Sequence, residues 1–187
     1  MHMDSKNLCL KKQQSFFEPV IESLSAKRLN MKIVKASKNQ INDVVFLNSF
    51  VQRMHEENHP EIFKSHEEEE KNIETFFHKL LDRDDCYLFV AYENDDQVGY
   101  IWFTHDKFPN TPFKYERDQI YIHQIIVHDD HRRKSIGSLL MGKTQEIGKE
   151  LNINHYQLDT WEFNSDAQDF FGNQGFSTFN RKMWLNT

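Results

Sequence analysis

Cysteine is scarce in this chain. Cys9 and Cys86 are its two cysteines in 187 residues, and they stand far apart. That excludes a disulfide framework or a zinc knuckle, and makes a reducing, cytoplasmic setting the expectation. No apolar run is long enough to span a membrane, and residues 1–17 lack the apolar core of a signal peptide. Positive charge is also short: 23 Lys and Arg face 29 Asp and Glu, a net charge of −6. Sequence-independent binding of nucleic acid is therefore not expected. The one dense cationic cluster, Arg132-Arg133-Lys134, suffices for a phosphate group but not for a duplex. There are no internal repeats and no low-complexity tracts.

What is abundant is phenylalanine, with sixteen residues, which points to an aromatic-rich core. The length suits one domain with a full core and a terminal extension. Residues 1–30 read as that extension. Phe17, Val20, Ile21 and Leu24 fall at helical spacing there, but Pro19 interrupts them.

From Lys32 onward the pattern is mixed. Lys32–Ala36 alternates like a strand. Ile41, Val44, Val45, Leu47, Phe50, Val51 and Met54 trace one face of a helix that Pro60 closes. A second helix is expected over Glu67–Leu81, its acidic start matching the positive end of the helix dipole. Cys86–Tyr92 and Val98–His105 read as a hairpin joined by Glu93-Asn94-Asp95-Asp96. Residues 106–118 read as a loop, Tyr156–Thr160 as a strand, Asp166–Gln174 as a helix ended by Gly175, and Ser177–Trp184 as a last strand. The order is β-α-α-β-β-β-α-β-α-β, an α/β fold with a mixed sheet.

The most informative stretch is residues 119–142. Tyr121–Val127 is a β-branched strand, His128–His131 a polar break, and Ile136, Leu139, Leu140, Ile147 and Leu151 a helical stripe. Arg132, Arg133 and Lys134 stand just before that helix. A helix N-terminus carries unpaired N–H groups and partial positive charge, so a phosphate or pyrophosphate would sit well at residues 132–138. Gly137, Ser135 and Ser138 are small enough to let it approach the backbone.

Arg132, Ser135 and Gly137 fall on the key positions of Gln/Arg-x-x-Gly-x-Gly/Ala. Asn164, Ala167, Phe170, Phe171, Gly175 and Phe176 match Asn-x-x-Ala-x-x-Phe-Tyr-x-x-x-Gly-Phe. With these two patterns in this order, residues 31–187 resemble the GNAT N-acetyltransferase superfamily. The resemblance implies a mostly antiparallel mixed sheet flanked by helices and the transfer of an acetyl group from acetyl-CoA to a primary amine, with no metal. A small-molecule amine is the expected acceptor. Homodimers are common in that family, although no interface can be read from the chain.

The resemblance also implies roles. The turn Arg132, Arg133, Lys134, Ser135, Ile136, Gly137 and Ser138 would hold the CoA pyrophosphate. Backbone groups of Ile125, Ile126 and Val127 would meet the pantetheine arm, Asn164 would bond it from the facing side, and Phe170 would pack on it. Relatives often carry an acidic base on the central strand. Here His123 and Gln124 stand at that place, with Glu116 upstream as another candidate. Ser135 replaces a glycine, which costs nothing only if its φ is negative. Phe171 replaces a tyrosine that protonates the leaving thiolate in relatives, and a phenyl ring cannot. These departures also fit a domain that binds acyl-CoA as a sensor without catalysis.

Phe46, Phe50, Met54, His55, His59, Trp102 and Trp161 are expected to border the acceptor. His55-Glu56-Glu57-Asn58-His59 also fits the zinc-peptidase pattern H-E-x-x-H. The proline after His59 pushes that residue out of the helix, which would break the alignment of the two histidines.

Overall fold

A computed structural model describes residues 31–185; the expected helix within residues 1–30 lies outside them. Strand β1 (Met31–Lys35) leads through a short 3-10 turn to helix α1 (Ile41–Asn58), followed by α2 (His66–Leu80), β2 (Cys86–Glu93), β3 (Asp96–Phe108) and β4 (Arg117–Val127). Another 3-10 turn precedes α3 (Ile136–Glu150), β5 (Tyr156–Leu158) and α4 (Ser165–Asn173). The sheet order is β1-β2-β3-β4-β5. All neighbours are antiparallel except β4 and β5, which run parallel.

Local chemistry sets these boundaries. The Ser37 hydroxyl accepts from the Asn39 amide, while the Gln40 side chain accepts from the Ser37 amide, capping the entry to α1. His59 leaves the helical region at φ −144°, ψ 65°, as the following proline requires. Glu67, Glu68 and Glu69 occupy the first turn of α2, where the dipole favours negative charge. Asn94 and Asp95 both take positive φ, 54° and 71°. That is the two-residue hairpin turn whose twist suits the flanking strands.

Two cores lie on opposite faces of the sheet. Ile41, Val44, Leu47 and Phe77 from α1 and α2 pack on Leu88, Val90, Tyr100 and Ile126. On the other face, Ile136, Leu140, Met141 and Phe171 from α3 and α4 pack on Ile101, Phe103, Ile120 and Ile122. Gly148 lets α3 close on β5: a Cβ there would lie 2.0 Å from the Tyr156 hydroxyl oxygen.

Two expectations need correction. The loop 106–118 is shorter, because β3 runs on to Phe108 and β4 starts at Arg117, pairing Phe108 with Arg117. Residues 177–184 form no strand. Phe179, Met183 and Trp184 are exposed, and a strand pattern without a neighbour to bond has nothing to make it a strand.

Candidate active site

Strands β4 and β5 pair over three residues only: Ile120 with Tyr156, Tyr121 with Gln157, Ile122 with Leu158. Beyond that β4 continues to Val127 with β3 as its sheet neighbour, and along His123–Val127 its other edge has no strand partner among the described residues. The opening coincides with a β-bulge. Trp102 pairs with Gln124 and Phe103 with Ile122, leaving His123 as the extra residue. Side chains along a strand alternate between faces, and one inserted residue resets the alternation. His123 and Gln124 therefore both turn toward the α1/α2 face, while Ile125 and Val127 turn toward the α3/α4 face, where they join its core.

The turn at the mouth of this opening is built to expose amides. Arg133 and Ser135 take φ of 61° and 64°, and Ser135 caps α3 from the left-handed region. The serine thus holds the conformation that glycine would adopt freely, at a cost of about 1–2 kcal/mol. The condition under which the replacement of glycine would cost nothing, a negative φ, is therefore not met. Among the described residues, no amide of 133–138 donates to another backbone group. The first to do so is Leu139, to the Ser135 carbonyl at 3.0 Å. Arg132 bridges Asp129 at 2.9 Å and Asp166 at 3.7 Å, and Lys134 lies 3.6 Å from Glu93. Arg133 forms no ion pair among the described residues. Unpaired amides, a helix N-terminus and neighbouring cations are groups of the kind that can hold an anion.

Helix α4 closes the far side. The Asn164 side chain accepts from the Ala167 amide at 3.1 Å, capping α4, so its carbonyl oxygen is committed and its amide nitrogen is left for other partners. Phe170 lies on Gly137: a Cβ on that glycine would sit 3.0 Å from the ring. The glycine therefore makes room for the Phe170 ring. Phe171 is 7% exposed and meets Phe170 and Phe176 edge-on, as a member of the apolar core.

On the α1/α2 face, His123 lies flat on Trp102, with centroids 4.3 Å apart and planes 14° apart, and 4.8 Å from Tyr121. Its Nε2 is 2.9 Å from the Thr104 hydroxyl oxygen, which donates to Asp106 at 2.7 Å. Burial holds the His123 pKa below its ordinary 6.5, with the Asp106 carboxylate pulling it back up.

Gln124 points into the protein. Its carbonyl oxygen accepts from the Tyr100 hydroxyl at 2.6 Å and the Asn48 amide at 3.3 Å. That buried pairing makes it a structural anchor under α1. Glu116 is exposed in the loop before β4. Seven residues of strand, about 23 Å, separate it from His123, so the two candidates are not brought together.

The expected acceptor residues do not form one group. His55, His59 and Trp161 meet in an aromatic cluster that includes Phe63 and Phe163: His55 stacks on Phe63 at 4.6 Å, and His59 lies 5.1 Å from Trp161. Burial, and behind it the neighbouring His59, lower the His55 pKa. Trp102 belongs instead with His123 and with Phe76, whose ring meets it edge-on at 5.4 Å. Phe46 and Phe50 lie against His128 at 6.3 and 4.7 Å, beside the turn. Met54 is half-buried on α1.

Thr104, Asp106, Tyr100 and Asn48 were not singled out from the sequence. A signal existed. Tyr100, Trp102, Thr104 and Asp106 alternate along β3, and Asn48 is a polar residue in the apolar stripe of α1.

The profile of the acetyltransferase (GNAT) family matches residues 49–176. Among solved structures, the BH1408 protein of Bacillus halodurans aligns at 22% identity with a TM-score of 0.79, covering 83% of this chain and 99% of that one. A transcriptional regulator from Bacillus halodurans C-125 aligns at 18% identity and TM-score 0.67, covering 84% and 99%. An aminoglycoside N-acetyltransferase, AAC(6')-Iy, in complex with CoA aligns at 15% and 0.67, covering 84% and 94%. At these identities the structures establish a shared fold. With the family profile spanning more than half of the chain, the chain belongs to the GNAT acetyltransferase family.

Proposed function

We propose that this protein is an acetyl-CoA-dependent N-acetyltransferase acting on a primary amine of a small molecule. One observation carries this reading: β4 and β5 separate beyond Ile122 and Leu158, and the opening ends at the amide-lined turn 133–138. A diphosphate fits that turn because it offers unpaired N–H donors and cations at a helix N-terminus. Arg132, Arg133 and Lys134 would hold it with the amides of Ser135–Ser138. The free edge of β4 at Ile125–Val127 offers main-chain partners to an extended arm, in the manner of an added strand. Acetyl-CoA supplies the activated acetyl group.

The remaining steps belong to this chain's side chains. An amine attacks only when neutral, so a base must take its proton. In this reading His123 takes that proton; its support is its position on β4 beside the opening and a pKa lowered from its ordinary value by desolvation. Holding amine and thioester in line supplies further rate. Phe171 offers no proton to the departing thiolate, and a CoA thiol is acidic enough to leave without much help.

The test is calorimetry with CoA, followed by thiol release from acetyl-CoA across a panel of amines and mass measurement of the product. The expected result is binding in both the CoA and acetyl-CoA titrations and one acetyl group on an amine nitrogen. Binding of CoA with no acceptor turned over would instead support a sensor domain. Absence of heat with CoA would end both readings.

A further inference from the structure

We propose that Thr104 and Asp106 are positioning residues for His123, forming a hydroxyl-bridged relay that leaves Nδ1 as the nitrogen that takes the amine proton. The identity of that proton rests on the transferase reading above. The relay itself is a property of the free protein.

The geometry follows from two strand features. Alternation on β3 puts Trp102, Thr104 and Asp106 on one face, and the bulge on β4 turns His123 toward them. Thr104 is 2% exposed. Its hydroxyl has one proton, and the 2.7 Å contact to the Asp106 carboxylate uses it, because a carboxylate can only accept. The same oxygen can then meet His123 Nε2, 2.9 Å away, only as an acceptor. Nε2 must therefore carry the hydrogen. A neutral imidazole has one N–H, so Nδ1 holds the free lone pair, and it has no hydrogen-bond partner among the described residues. Stacking on Trp102 fixes the plane of the ring.

The charges around His123 support this assignment. Asp106 faces it from β3 through one hydroxyl. Arg83 and Asp85, in the connection between α2 and β2, act on it in opposite senses and are bound to each other through contacts of 2.9 and 2.7 Å. Tyr121, on β4, gives its hydroxyl to Asp159 at 2.6 Å and meets His123 with its ring. During proton transfer the ammonium N–H bond breaks and its electron pair stays on the amine nitrogen. The proton bonds to Nδ1, and the imidazolium charge is steadied by Asp106 through Thr104. The proton then returns to water, restoring the base.

The experiment labels histidine with 15N and follows the His123 ring through a pH titration, in wild type, Thr104→Val, Thr104→Ser and Asp106→Asn. Wild type should show the Nε2–H tautomer. Thr104→Val should show mixed tautomers and a lower pKa, and Thr104→Ser should restore both. Asp106→Asn should keep the tautomer, since its amide oxygen still accepts from Thr104, yet lower the pKa. In steady-state assays Thr104→Val should lose about tenfold in kcat with an unchanged KM for acetyl-CoA, and the acid limb of kcat/KM should track the pKa from the titration. An Nδ1–H tautomer in wild type, or a Thr104→Val spectrum identical to wild type, overturns the relay. A relay that behaves as described in a protein that acetylates no amine sinks the transferase reading and the base role with it.

Discussion

The two faces of the sheet are made in different ways. On the α3/α4 face, the anion site comes from one continuous segment. Strand β4, the turn at 132–135 and the first turn of α3 follow each other in the chain, and the groups on offer are main-chain amides. On the α1/α2 face, the site is a collection of side chains brought from separate places. His123 comes from β4, Trp102, Thr104 and Asp106 from β3, and Phe76 from α2, with the His55 cluster further along α1. A backbone site tolerates changes of side chain as long as the chain can hold its conformation. A side-chain site is lost when a single partner is removed. The first design suits a donor common to a family, and the second suits an acceptor that differs between its members.

Substitutions can break this contrast. Phe171→Ala should cost the most, about 3–5 kcal/mol, since it removes a ring from the core beneath the anion site. A urea titration measures it, and a loss under 1 kcal/mol would mean that the ring is not part of that core. His123→Ala should lower kcat by roughly 10²–10³-fold while calorimetry finds CoA affinity unchanged. A matching loss of CoA binding would show the two faces to be one unit.

Smaller effects sharpen it from the donor side. Arg133→Ala should weaken CoA binding roughly tenfold, or about 1.4 kcal/mol. That difference should shrink as salt is added, with the KM of the amine unaffected. Ser135→Gly should stabilise the protein by about 1 kcal/mol, because glycine takes the left-handed conformation without the serine's penalty. An unchanged unfolding midpoint would place Ser135 outside that conformation in solution. If Ser135→Gly altered amine selectivity, the separation of the two faces would fail.

The elements α1 to α4 and β1 to β5 were legible because each carries its own period and its own ends. Pro60 stops α1, the Asn94-Asp95 pair turns the hairpin, and Gly175 follows α4 at φ 90°. The turn at 132–135 was legible for the same reason, as strand, cations and helix start are contiguous. The segment 177–184 misled because a strand pattern states only what a chain can do when a neighbour is present. Glu116 and His123 stand apart because closeness in sequence along an extended strand is distance in space. His55, His59 and Trp161 lie together while Trp102 lies with His123, since a ring's neighbours depend on which side of the sheet it occupies.

The amino-acid sequence by itself determined the order of elements, the family patterns and the place where an anion could be held, because these rest on local backbone preference and contiguous charge. Tertiary structure alone decided that β4 bulges at His123, that Ser135 is left-handed, that Gly137 seats Phe170, and that Thr104 links His123 to Asp106. Those outcomes depend on register between strands, and register is settled by packing both faces of the sheet at once.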